Sequence, residues 1–381
     1  MNAPPATQRL RTGLLAGLVL VAGVVAWSFR RPGREAAATP PASVPSALPS
    51  GAARTEGLSF RSFKGEKQSF MLKAAESVGQ EQEELRLKQV DFTFSYTVKG
   101  DVRQGNIKAD SCLCAPSQQR GNFEGNVTLT TDDGFLLKAP TLNYRGDKGV
   151  AKSDDPVTFA RKDISGSSTG LVYHAEEGKL ELLADVKIHV RDPDKPPADI
   201  QASRATLLRQ EGTMFLEGAV QVDQQGDHLT ADRFEVDFGE DRTVSRARAI
   251  ENVVLKTASG AFPGTAAAPA AGSGPRELRC RKLDLRFRPD RTLEEATAGP
   301  DADLVLHPGP KDEPERRRLE AKFLTFKFDE QGRLTALESL RDTKFTITPL
   351  KPAAGPPRTV TCARLVGQVD PESGEPKNIE F

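Results

Sequence analysis

From Asp91 onward, apolar and polar residues alternate rather than recurring every three or four places. Phe92, Phe94, Tyr96 and Val98 fall on one face of a run, and Phe234, Val236 and Phe238 on one face of another. Val186, Ile188 and Val190 alternate with Lys187 and His189, and Leu283, Leu285 and Phe287 with Asp284 and Arg286. A period of two puts every second side chain on one side of an extended chain, so these runs predict half-buried β-strands. Turn-forming residues separate them, at Asp133-Gly134, Asp147 to Gly149, Glu177-Gly178, Glu211-Gly212 and Gln331-Gly332. No long stretch after Gly57 carries a helical period, although the acidic span Gln80 to Arg86 has room for one helical turn. The expected class is all-β.

The runs resemble one another. Each has an apolar residue, a small residue two places on, and then an alternating strand. The small residues are Ala139, Gly170 (a weaker copy), Ala202, Ala231, Cys280, Ala321 and Cys362, spaced by 31, 32, 29, 49, 41 and 41. Repeated short units of this kind cannot close a core singly, so neighbours are expected to stack with their apolar faces turned into a shared interior. The long spacings hold insertions: an Ala/Gly/Pro-rich one at Ala258 to Pro275, a charged one at Pro308 to Arg318, and a Pro-rich one at Pro349 to Arg358. All three follow the last strand of a unit and are expected along one side of the stack.

The beginning of the chain reads differently. Leu14 to Phe29 is almost uncharged, with Arg9 and Arg11 before it and Arg30, Arg31 and Arg34 after it. From Leu10 the run is long enough to cross a bilayer if Arg11 reaches back to the headgroups. Trp27 sits where an amphipathic ring suits the interface. Residues 1–31 are therefore expected to be an uncleaved membrane anchor, N-terminus inside and body exported. The competing reading is a signal peptide cut near Ala36 to Ala38. Residues 32–57 form a linker rich in Pro, Ala and Ser that cannot bury a core.

Composition narrows the function. The chain has 381 residues, 53 Lys+Arg and 53 Asp+Glu, so its net charge is zero and it lacks the basic excess of a nucleic-acid binder. Four cysteines in this length do not make a disulfide scaffold. Cys112 and Cys114 lie in a Gly-rich segment expected to be a loop; a disulfide between them would be unusual, and they are read as free thiols or a partner-free oxidised form. Cys280 and Cys362 occupy the small-residue slot and are read as small buried hydrophobes. His174, His189, His228 and His307 show no metal-ligand spacing and are expected at surfaces or turns. Asp132-Asp133-Gly134 and Asp154-Asp155-Pro156 are read as turns. Asn126-Val127-Thr128 matches a glycosylation sequon, discounted because it lies in a strand pattern. No P-loop or Rossmann fingerprint occurs, and no catalytic residue, metal or cofactor is expected.

One stretch carries a family resemblance. Phe123-Glu-Gly-Asn-Val-Thr-Leu129 is followed by Asp133-Gly134 and Leu142-Asn-Tyr144, then by Ser153-Asp-Asp-Pro-Val-Thr-Phe159, Gly170-Leu-Val-Tyr173 and Leu180 to Ile188. This order, with a single anchor and tether before it, resembles the periplasmic lipopolysaccharide-transport proteins of the LptC family, which share a strand unit with LptA (OstA-like). The likeness covers roughly Leu58 to Asp192, and the rest resembles further OstA-type units. The expected division is a β domain at residues 58–199 and β repeats with insertions at 200–381.

The resemblance implies an elongated, antiparallel open jelly roll with lipopolysaccharide acyl chains held between its sheets. It implies a non-enzymatic carrier that is single-pass in the inner membrane with its body in the periplasm. The implied partners are an inner-membrane ABC transporter and an LptA-like bridge protein. Thr359 to Phe381 is the expected docking edge for the bridge, and the strands near Leu85 to Val98 the contact on the transporter side. Alternation phase and the resemblance together give the expected lipid-binding residues: Phe123, Val127, Leu129, Leu142, Tyr144, Val157, Phe159, Val186 and Ile188. Two rival readings stand beside this one, a tethered structural or adhesive β-solenoid with a closed core, and a β-helix enzyme, which is disfavoured because no carboxylate ladder repeats on one strand face.

Overall fold

The structure is a computed structural model. It describes residues 55–64, 67–81, 84–98, 101–115, 119–132, 134–175, 177–191, 197–208, 210–239, 243–258, 274–309, 314–351, 355–370 and 376–380. The expected anchor (1–31) and all of the expected linker but Thr55 to Gly57 lie outside these residues. Among the described residues there is no helix long and apolar enough to cross a membrane. The described residues are all-β, and their strands pair antiparallel. Two compact units divide them: one runs to Leu183 and includes Leu208–Gln210, the other holds Ala184–Leu207 and Glu211–Phe381.

The first unit is a meander. Its strands are β1 (Thr55–Lys64), β2 (Lys67–Glu81), β3 (Glu84–Val98), β4 (Asp101–Ala115), β5 (Arg120–Thr131), β6 (Leu136–Arg145), β7 (Val150–Arg161), β8 (Ile164–His174) and the start of β9 (Lys179–Val190). From β1 to β8 each strand pairs with the next. The described part of Gln80 to Arg86 is strand: Gln80 and Glu81 end β2 and lie opposite Leu85 and Glu84 of β3. Leu85 and Leu87 are both buried, so the period of two prevails over the acidic composition. β3 has partners on both sides and two strands precede it, so Leu85 to Val98 is neither the first strand nor an open edge.

Long strands in this unit are broken at one level. Register shifts fall between Lys108 and Ser111, Glu124 and Val127, Lys138 and Asn143, and Ser153 and Pro156. An unpaired extra residue bends a strand and raises its twist, so each strand has two straight halves about a bend. At the β5 bend Gly125 and Asn126 take φ of 76° and 47°, and Asn126 Nδ2 donates to Asp110 Oδ2 at 2.8 Å. A Cβ on Gly125 would stand 2.6 Å from that oxygen, so the position needs glycine for both reasons. The sequon asparagine is thus engaged in a bend. Asp154-Asp155-Pro156 forms the bend of β7 rather than a turn, and Thr141 Oγ1 donates to Asp155 Oδ2. Residues that suit turns also suit bulges, where one residue leaves the ladder. The chain does turn after Thr131, whose carbonyl accepts from Gly134 N at 2.9 Å.

The second unit repeats the grammar. It takes the rest of β9, then β10 (Ala198–Ala202), β11 (Arg204–Leu208), β12 (Thr213–Gln224), β13 (Asp227–Phe238), β14 (Val244–Thr257), β15 (Arg276–Phe287), β16 (Leu293–Gly299), β17 (Ala302–Leu306), β18 (Glu315–Ala321), β19 (Phe323–Phe328), β20 (Leu334–Pro349), β21 (Arg358–Val369) and β22 (Pro376–Glu380). β15 pairs with both β16 and β17, and β20 with both β18 and β19, so each short pair is one bent strand broken at its corner. The corners are tied across strands. Ser203 N and Oγ donate to Gly218 O, Asn252 Nδ2 donates to Asp232 Oδ2 at 2.7 Å, and Lys322 Nζ reaches Asp301 Oδ1 at 2.9 Å.

These bends explain the recurring small residue. Ala139, Ala202, Ala231, Cys280 and Ala321 are buried, each one place before the bend of its strand. Inward side chains crowd where a strand turns, and a methyl or thiol is what the space admits. Cys362 holds the same slot but is half-buried. Burial pushes the Cys280 thiol up to about 12, so it stays protonated and acts as a small hydrophobe.

The insertions leave on one side. Thr257 lies opposite Arg276, Arg276 opposite Leu306, Leu306 opposite Arg317, Glu315 opposite Pro349, and Ile347 opposite Arg358. The second insertion is shorter than expected, because Glu315 to Arg318 belongs to β18.

Candidate functional site

The first unit's interior is aromatic. Phe70 on β2, Phe92 and Phe94 on β3, Phe123 on β5 and Tyr144 on β6 point to the same side of their strands. Phe92 is the hub: its ring centroid lies 5.6 Å from Phe70, 5.8 Å from Phe94, 5.7 Å from Phe123 and 5.4 Å from Tyr144. Phe94 and Tyr144 are 5.1 Å apart. Such spacings are those of favourable offset and tilted ring pairs. Burial pushes the Tyr144 hydroxyl up to about 12, so it remains neutral and can only donate or accept a hydrogen bond.

A cleft opens beside these rings. Phe70, Leu72, Phe92, Cys114, Gln119, Arg120, Gly121, Phe123 and Tyr144 line it, and its cavity volume is about 10 Å³. That holds about one water molecule. The wall includes a disulfide, for Cys112 and Cys114 are joined within β4. Both sulfurs are buried, and the free-thiol reading is corrected. Residues two apart in a strand face the same side, so two cysteines at this spacing meet in a strand where a loop would not hold them together. Their Cα atoms are 5.6 Å apart.

The nine expected lipid-binding residues divide. Phe123, Val127, Leu129, Leu142, Val157, Val186 and Ile188 are buried, and Tyr144 and Phe159 are half-buried. Phe123 stands opposite Leu142, Val127 opposite Ala139 and Leu137 opposite Phe159, so these side chains share the inward phase of their strands. Only Phe123 and Tyr144 of the nine line the aromatic cleft. Val186 and Ile188 belong to the second unit, opposite Ala202 and Ile200. Phe70, Phe92 and Phe94 were missing from the expected set. Phe92 and Phe94 carried the alternation signal, whereas Met71 between Phe70 and Leu72 blurs it in β2.

Reactive chemistry is not assembled around the cleft. Among the described residues no group of three or more His, Cys, Asp or Glu is placed to hold a metal. His189 and His228 face Asp199 and Asp223 in partly exposed pairs. What the interior offers is apolar contact.

The end of the second unit has a different character. Phe345 on β20 is half-buried, and Val360 opposite it on β21 is 45% exposed. Leu340 and Ile379 are exposed as well. β22 pairs only with Val366 to Val369, so among the described residues the far edge of Arg358 to Leu365 has no strand partner. Such an edge presents unpaired N–H and C=O groups to a further strand.

Comparison with known proteins gives a family for part of the chain. Residues 19–191 match the family LptC, described as lipopolysaccharide-assembly, LptC-related. No curated protein matches the chain. Among solved structures, the chain is similar to the crystal structure of LptH, the LptA homologous periplasmic component of the conserved lipopolysaccharide transport device from Pseudomonas aeruginosa. That similarity has 16% identity, covers 35% of this chain and 75% of that one, and has a TM-score of 0.18.

Proposed function

We propose that the protein has a role in lipopolysaccharide transport, as a non-catalytic carrier whose apolar interior holds acyl chains. The observation that carries this reading is an inward-facing cluster of aromatic rings, opening to a cleft, within the segment that matches the LptC family. Each buried methylene gains about 0.8 kcal/mol, so a chain of a dozen carbons gains on the order of 10 kcal/mol on leaving water. No reactive group is needed for that. The cleft is smaller than an acyl chain, so loading requires the rings to move apart in an open-sided jelly roll.

In this reading the N-terminal segment anchors the chain in the inner membrane beside an ABC transporter, and the body lies in the periplasm. The open edge of β21 takes an LptA-like bridge protein by adding a strand. The expected residues from Phe123 to Ile188 line the path. The small cleft favours the second reading, a structural solenoid with a closed core. Photocrosslinkers at Phe159 and Ile188 in the full chain separate the two. Capture of lipopolysaccharide in membranes supports the carrier. Absence of capture, with no lipid copurifying after gentle extraction, leaves the solenoid.

A further inference from the structure

The inward phase of the second unit changes chemistry at the side from which the insertions leave. One level into the unit the facing residues are Leu255, Leu278, Leu304 and Leu319, all buried. Leu255 lies opposite Leu278, Leu278 opposite Leu304, and Leu304 opposite Leu319, on neighbouring strands. Two residues further out along the same strands, the row reads Thr257, Arg276, Leu306 and Arg317, followed by Ile347 on β20. Two residues along a strand return to the same face, so both guanidinium groups belong to the apolar side. They are two strands apart, a separation of about 10 Å.

On the outward face Arg279 Nε meets Glu277 Oε1 at 2.6 Å and Arg318 Nε meets Asp303 Oδ1 at 2.8 Å. On the inward face Arg358, opposite Ile347, meets Glu315 at 2.7 Å. Neither Arg276 nor Arg317 has a carboxylate partner among the described residues. Burial alone holds the Arg276 guanidinium below its ordinary value, with no acid opposing the shift. For Arg276 a cation desolvated without a counter-ion among the described residues is costly, whereas Arg317 in the same row is exposed and open to a ligand.

We infer that Arg276 and Arg317, beside the apolar side chains of Leu306 and Ile347, form a rim site for the phosphate groups of an anionic lipid whose chains enter the adjoining apolar row. This rests on the carrier reading and adds to it a headgroup contact in the second unit. Guanidinium matches phosphate in charge and in the geometry of paired hydrogen bonds. The leucine row supplies the other half of an amphiphile's recognition, which free phosphate would not use.

The test uses the full chain in mild detergent, with fluorescent bisphosphorylated lipid A and its dephosphorylated form as probes. The wild type is expected to prefer the phosphorylated lipid by about tenfold, and Arg317→Gln and Arg276→Gln each to erode that preference while binding the dephosphorylated lipid as before. Arg317 is exposed, so its variant reports even if Arg276→Gln folds poorly. Unchanged preference in both variants overturns the inference. Displacement of the lipid by millimolar inorganic phosphate overturns it too, since the rim would then be a free-phosphate site. A photocrosslinker at Phe159 in the wild type separates the layers. Capture there without phosphate preference sinks the rim site alone, and no capture sinks the carrier reading beneath it.

Discussion

The two units share one strand grammar and fill it differently. The first gathers four aromatic rings around Phe92 and leaves a cleft of about 10 Å³ beside them. The second is closed mainly by aliphatic residues, with Leu216, Val222, Val236, Ala249, Leu293 and Ala296 each at 0% exposure, and its buried rings, Phe234, Phe287, Phe326 and Phe328, are spread over β13, β15 and β19. Flat rings can slide and tilt against one another, whereas branched aliphatics interlock. On the proposed carrier reading, the contrast marks where a bent-strand interior would admit a guest and where it would serve as scaffold. The second unit loosens only at its end, where Val360 and Ile379 are left outside.

The strongest way to break this comparison is to empty the scaffold. Phe234→Ala removes a ring with 0% exposure and is expected to cost about 3–5 kcal/mol. Urea unfolding gives the size, and hydrogen exchange resolved along the chain gives the location. Lost protection confined to the strands from β12 to β15 sustains the idea of separately packed interiors. Equal loss in β3 to β6 would mean that the two act as a single packed body, and the comparison would lose its basis.

A smaller effect is expected at the disulfide. Closing a loop of three residues restrains the unfolded chain little, and the loop-entropy relation gives about 1.5 kcal/mol for it, against about 3 for a fifteen-residue loop. Cys112→Ala with Cys114→Ala is therefore expected to lower stability by roughly that amount and to leave the second unit untouched, as read from the denaturation midpoint. A loss approaching that of Phe234→Ala would mean that the bridge supports the whole aromatic cluster rather than one stretch of β4.

How much of this was legible in the sequence follows from what kind of force decides each feature. Alternation is a local property and named the strands, and the recurring Ala or Cys marked the bends before their cause was visible. The insertions fell on one side because antiparallel strands return the chain to the same end. Other features depend on partners far along the chain. Asp154-Asp155-Pro156 reads as a turn until β6 and β8 are seen to flank it, and Gln80 to Arg86 reads as a helical turn until Leu85 and Leu87 find the core. The aromatic hub draws on strands from β2 to β6, so Phe123 and Tyr144 could be named in advance while Phe70 could not. The rim arginines look like ordinary surface charge in the sequence, and only register places them on the inner face.

The smallest expected effect concerns the second unit's polar rim, which has no counterpart among the rings of the first. Asp227 is 6% exposed at the start of β13, and its Oδ1 accepts a hydrogen bond from Ala258 N at 3.0 Å. Burial raises its carboxyl above the ordinary value, and the Ala258 N–H only partly offsets this. An acid with a raised folded-state value holds its proton more tightly folded than unfolded, so its contribution is fully present below the unfolded value and is lost as pH rises through the folded one. Asp227→Asn keeps an acceptor for Ala258 and removes the charge. The variant is expected to melt with the wild type in the acidic range below the carboxylate value and about 1 °C above it at neutral pH, the small size reflecting partial solvent access. The difference between the two melting curves across pH cancels what His228 and the other titrating groups contribute. A variant that melts lower at neutral pH would show that the charged carboxylate is wanted there, by a cation or an ordered polar network. The second unit's rim would then be a built polar site rather than the edge of an aliphatic scaffold.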